Sequence, residues 1–117
     1  MLAGFGAVLG FIAVGLGAFG AHGLEGRATP EGLGWWTTGS QYLLAHAVAV
    51  LALGLSARGG LMAAGGWTMA VGAAVFAGTL YAMTLGAPRW LGAVTPLGGL
   101  GMLAGWAMVA VAAFRTP

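Results

Sequence analysis

A chain of 117 residues with 60% hydrophobic and only 5% charged side chains cannot clothe a water-facing surface, since a soluble domain carries about 25% charged residues. Its net charge of +2 comes from four Arg set against Glu25 and Glu31, too few and too scattered for a nucleic-acid interface. Cys is absent, as are Lys, Asp and Asn, which excludes disulfides, thiolate metal sites and a Cys nucleophile.

The first segment, residues 2–21, is uncharged and reaches the length of about 20 residues that a spanning helix needs. A signal peptide would need a basic start, and Met1-Leu2-Ala3-Gly4 has only its α-amine, so the segment reads as a retained span. Residues 22–38 form the one substantial loop and hold Glu25, Arg27 and Glu31. Within it, Thr29-Pro30-Glu31 is a helix start: a Thr N-cap, Pro at the first helical position and an acid in the first turn. Helix two therefore begins near residue 30. Trp35 and Trp36 read as interfacial anchors, and the span proper covers about 40–57.

Arg58-Gly59-Gly60 reads as a tight turn, and span three covers about 61–85. Gly86-Ala87-Pro88-Arg89 is the next turn, with Arg89 and Trp90 as further interfacial anchors. Span four covers about 91–114, which leaves Arg115-Thr116-Pro117 outside the hydrocarbon. The apolar runs are continuous rather than alternating, which favours helices over a β-barrel. The fold class is all-α: a single integral membrane domain, 1–117, built as a four-helix bundle. Arg58 and Arg115 share one side with the N-terminus, and Arg27 and Arg89 share the other. The α-amine tips the count towards cytoplasmic termini.

Apolar side chains gain little by leaving lipid for one another, so helices in a bilayer associate where small residues let backbones approach. Span three offers such a stripe at intervals of four: Gly66, Ala70, Ala74, Gly78, Ala82 and Gly86. Packing within one bundle is the favoured reading of this stripe, and an oligomer seam is the alternative. Gly6, Gly10 and Gly17 in span one, and Gly101 and Gly105 in span four, are further close-approach points.

Polar residues gather towards one half of the chain's spans. From Ser40, His46 lies about 9 Å deep, and Tyr81 lies about 7 Å from the same surface, at 1.5 Å per residue. Thr95 falls at a similar depth, where Pro96 would free a backbone carbonyl. Tyr42 and His46, four apart, share a helix face. The candidate ligand-binding residues are thus His22, Gln41, Tyr42, His46, Tyr81 and Thr95. A His within a span is a functional candidate by default. The structural alternatives are that His46 bonds a hydroxyl or carbonyl across helices and that His22 caps the end of helix one. Together the two His could hold haem or a metal, although no acid lies within the spans to complete such a site.

Several motifs carry a family resemblance over nearly the whole length. They are Gly17-Ala18-Phe19-Gly20-Ala21-His22-Gly23-Leu24, Thr38-Gly39 with Tyr42 and His46-Ala47, and Phe76-Ala77-Gly78-Thr79-Leu80-Tyr81. Arg89-Trp90-Leu91-Gly92, Thr95-Pro96-Leu97-Gly98-Gly99 and Leu103-Ala104-Gly105-Trp106 follow. With these the chain resembles the bacterial membrane family called domain of unknown function 423, related to the transmembrane protein 256 group. The resemblance implies four spans and a bacterial inner-membrane location, and brings no reaction, ligand or cofactor with it.

Three functions compete. A binding or accessory protein would hold a lipid, a quinone or a membrane-protein partner at the polar layer. A transporter or channel subunit would need an oligomer, because the other half of the bundle lacks a polar lining. An enzyme has the fewest supporting residues, with no Cys, no Asp and no Ser in a triad setting. The first is the expected function.

Overall fold

The computed structural model describes residues 1–115, so Thr116 and Pro117 lie outside the described residues. It contains α1 (Leu2–His22), α2 (Pro30–Leu55), α3 (Gly60–Thr84), a 3-10 turn (Arg89–Ala93) and α4 (Thr95–Arg115), with no strand among the described residues. Four segments are each long and apolar enough to cross a membrane, the 3-10 turn and α4 together forming the last.

Local chemistry sets the ends. Thr29 caps α2, its hydroxyl accepting from Gly32 N–H at 3.0 Å, with Pro30 and Glu31 in the first turn. α3 stops at Gly86, whose φ of +106° a side chain would resist. There Ala87 N–H reaches back to Ala82 O at 2.9 Å and Gly86 N–H to Met83 O at 3.1 Å. This six-to-one and five-to-two pair closes the helix, and Pro88 prevents its resumption. Between α2 and α3, Ala57 adopts a left-handed φ of 57°. Pro96 sits in the first turn of α4, where its missing N–H costs nothing. It therefore does not kink a span, and the carbonyl expected to be freed beside it is not produced by a break within the helix.

α3 is the hub and touches all three other helices, while α1 packs on α2. Val50 of α2 and Met69 of α3 are wholly enclosed. Close backbone seams join α1 to α2, at Gly6 and Gly54, and α3 to α4. A Cβ added at Gly72 would lie 2.6 Å from Met102 N and 2.7 Å from Gly98 O, and one at Gly105 would lie 2.8 Å from Gly65 O. The expected stripe from Gly66 to Gly86 is not the α3–α4 seam. Gly66 and Ala70 are buried, but Ala74 and Gly78 are exposed, and Gly78 has open space beside it. Gly86 serves as a turn residue instead. Steps of four advance about 40° beyond a full turn, so five steps carry the stripe about 200° round the helix. Gly65 and Gly72, seven apart, drift only about 20° and stay on one face.

Candidate functional site

Polar side chains within the spans act first as staples between helices. Trp36 Nε1–H donates to Leu16 O at 2.6 Å, joining α2 to α1. Ser40 and Tyr81 hydroxyls meet at 2.8 Å, and Thr84 Oγ1 donates to Gly32 O at 2.8 Å, joining α2 to α3. Thr79 and Thr95 hydroxyls meet at 2.6 Å, joining α3 to the start of α4. Among the described residues no buried side-chain nitrogen or oxygen lacks a partner. That is the arrangement lipid demands, because it offers no competing hydrogen bond.

Trp36 is thus corrected from interfacial anchor to core. Only 3% exposed, it packs its ring on Tyr81 at 4.3 Å. Trp35, its neighbour, lies on the outer side. The Arg89 guanidinium stands 5.5 Å from the Trp35 ring centroid and donates to Glu31 Oε1 at 2.7 Å. Trp90 is largely exposed.

His46 is buried in the core, 6% exposed. Its Nδ1 lies 2.7 Å from the Tyr42 carbonyl oxygen. A carbonyl only accepts, so Nδ1 bears the proton and Nε2 is an acceptor. Nε2 receives Trp106 Nε1–H at 2.9 Å, a bond that ties α2 to α4; with it, both ring nitrogens are engaged.

The two His are not brought together. Gly10 of α1 faces Ala47, so the level of His46 falls near residue 11. His22, the exposed last residue of α1, is about 16 Å further along the axis. A shared metal or a bis-His haem does not fit this spacing. No group of three potential metal-binding side chains occurs among the described residues. Nor does His22 cap its helix: Phe19 O accepts from the Gly23 and Leu24 backbone N–H groups.

The expected single polar layer is also spread in depth. Tyr81 meets α2 at Ser40, six residues or about 9 Å before His46, and Thr95 is held at Thr79. Gln41 is exposed and does not line the hollow beside Tyr42.

What the structure does assemble is a groove of about 560 Å³ between α2 and α4, floored by Phe76 of α3. Tyr42 and His46 form one wall; Pro96, Leu103 and Trp106 stand on the other. The Tyr42 ring leans on Phe76 at 5.0 Å. Its hydroxyl has no partner among the described residues, and the side chain is 47% exposed, as is that of Trp106. The groove therefore opens sideways, towards lipid. Beside it lies a hollow of about 380 Å³ that has Phe76 and Pro96 in common with its lining. That hollow in turn shares Trp35, Met83 and Arg89 with a third, of about 720 Å³, under the first loop.

Trp106 was missed as a site residue. It lies 11 residues into α4, about 16 Å, too deep for an interfacial belt. A buried indole N–H needs an acceptor, and that need was the available signal.

Residues 16–99 match the family described as "Protein of unknown function (DUF423)". The chain is 46% identical over 115 residues to the UPF0382 membrane protein YwdK of Bacillus subtilis, covering 94% of this chain and 93% of the relative. It is 40% identical over 114 residues to the UPF0382 inner membrane protein YgdD of Escherichia coli K12, covering 95% and 87%. To the UPF0382 membrane protein SH2409 of Staphylococcus haemolyticus it is 36% identical over 112 residues, covering 94% and 92%. No solved structure matches the chain. With its four apolar helices and its likeness to these relatives over nearly its whole length, the chain is an integral membrane protein that belongs to the DUF423 family.

Proposed function

We propose that this protein is a membrane binding or accessory protein that holds an amphiphile, a lipid or a quinone, with its apolar chain in the groove between α2 and α4. The observation that carries the reading is the groove itself. It is open to the bilayer, lined by rings and aliphatic chains, and supplied with one unengaged polar group, the Tyr42 hydroxyl. Binding sites for small molecules share this mixture of apolar walls and few polar points. On the opposite side of the α3–α4 seam, a hollow of about 620 Å³ is lined by Trp67 and Thr68 among glycines and aliphatic side chains, and the Thr68 hydroxyl is bonded to Ala64 O.

The reading includes placement in a bacterial inner membrane, in keeping with the Escherichia coli relative's description. It puts both termini in the cytoplasm, on the side of Arg58 and Arg115, with the Arg27 and Arg89 end facing outwards.

Gly99 lines the groove, and a Cβ there would meet no atom within 4 Å. Gly99→Leu therefore sets a bulky side chain on the groove's lining, starting from a Cβ that meets no neighbour. Native mass spectra from mild detergent should show a discrete bound mass in wild type that is lost in Gly99→Leu, with the thermal unfolding midpoint not lowered. A bare wild-type peak, or a bound mass that survives the substitution, would refute the proposal.

A further inference from the structure

We infer that the hollow under the first loop is the headgroup end of the same binding site, and that it takes a phosphate. The inference rests on the groove reading and extends it from the apolar chain to the charged head.

Two backbone turns aim cations at this hollow. In the first loop, Leu24 is 4% exposed and acts as a peg. Its carbonyl accepts from Arg27 N–H at 2.9 Å and Ala28 N–H at 3.2 Å. Gly26, at a φ of +76°, makes the reversal that this turn requires. Arg27 is thereby fixed on the rim. On the other side, the Gly86 turn and Pro88 deliver Arg89. Both Arg line the hollow, and no carboxylate does.

The nearby acids are Glu25 and Glu31. Glu31 engages one Arg89 nitrogen, and a guanidinium has five N–H donors. The Arg27 guanidinium has no acid partner among the described residues. Two Arg facing one hollow of about 720 Å³ supply charged, planar donors suited to the oxygens of a phosphate.

This hollow has Trp35, Met83 and Arg89 in common with the second hollow, which has Phe76 and Pro96 in common with the groove, so the three lie in a row along the bundle. From Trp35 to His46 is 11 residues, about 16 Å, roughly half of a hydrocarbon core of about 30 Å. A phosphate at the Arg pair thus leaves its chain running one leaflet deep, to the His46–Trp106 bond. Such a shape and charge are those of a phospholipid, although free phosphate offers the same oxygens.

The test measures retention of added ligand by the full chain in mild detergent, using native mass spectrometry. The probes are dioleoyl phosphatidylglycerol, dioleoylglycerol with the same chains, and inorganic phosphate as competitor. Wild type should retain the phospholipid about tenfold better than the diacylglycerol, the effect of about one charge-assisted hydrogen bond. Arg27→Gln should abolish that preference while leaving diacylglycerol retention and circular dichroism unchanged, and Arg27→Lys should keep part of it. Failure of millimolar phosphate to compete identifies the source as lipid; displacement identifies it as free phosphate. Equal retention of the two lipids by wild type overturns the phosphate site and leaves the groove reading standing. Retention of neither lipid overturns both.

Discussion

One methyl group at Gly72 should push α3 and α4 apart. The added Cβ would stand 2.6 Å from Met102 N, 2.7 Å from Gly98 O and 2.8 Å from Gly101 C. All three are backbone atoms, so no side chain can rotate away. Contacts of this kind settle at about 3.5 Å or more, and the helices must therefore separate by nearly 1 Å. That loosens the seam at Gly65, Gly98 and Gly105, where association in lipid depends on close approach. Overpacking of this kind costs about 1–3 kcal/mol. Gly78→Ala, in the same helix with nothing near its new methyl, is the control. Both substitutions gain the same helix propensity of about 1 kcal/mol, so it cancels between them and the steric cost alone remains. Equilibrium unfolding in mixed micelles, followed by circular dichroism, should place Gly72→Ala about 1–3 kcal/mol below Gly78→Ala. Equal stabilities, or a less stable Gly78→Ala, would refute the assignment of the seam.

Ala57→Gly should raise stability by about 0.5–1 kcal/mol, because it relieves a left-handed φ in a residue that carries a Cβ; no gain in the same unfolding assay would count against that turn. A double-mutant cycle of His46→Ala with Trp106→Phe should show a coupling of about 0.6 kcal/mol, the average for hydrogen bonds between membrane helices, and at most about 1.7 kcal/mol. Strict additivity would mean that the two side chains do not interact.

The four spans were legible because composition leaves lipid as the only solvent and each run is long enough to cross it. The start of α2 was legible because Thr29, Pro30 and Glu31 act within one turn of the chain. What sequence alone did not resolve is which face of each helix meets which neighbour. Nearly every residue of α3 is apolar or small, so polarity marks no inward face, and Gly65 looks no different from Gly66. Only the rotation per residue separates them, and a repeat of four follows the wrong helical path. Trp35 and Trp36 pose the same problem: adjacent in sequence and alike in type, they point about 100° apart. One meets Arg89 at the surface, while the other finds a carbonyl inside. Tyr42 and His46 were placed on one face, as the structure has them. Their partners Phe76 and Trp106 lie 30 or more residues away, and no local pattern joins them.

The staples also bear on where function resides. A polar residue in lipid draws attention as a candidate ligand, yet here Ser40, Thr79, Tyr81, Thr84 and Thr95 are each spent on another helix. His46, the strongest candidate by type, has donated one nitrogen and filled the other. On the reading proposed above, a ligand would meet what these bonds leave over: the Tyr42 hydroxyl, Arg27, which has no acid partner among the described residues, and the space beside Phe76. That space follows from unequal packing. Glycines draw α4 hard against α3, whereas α4 meets α2 through the longer reach of Trp106 to His46. Equal closeness on both sides would have filled the groove with side chains. The His46–Trp106 bond spans the gap instead, fixing the spacing of α2 and α4 at the deep end while the Arg27 and Arg89 end stays open.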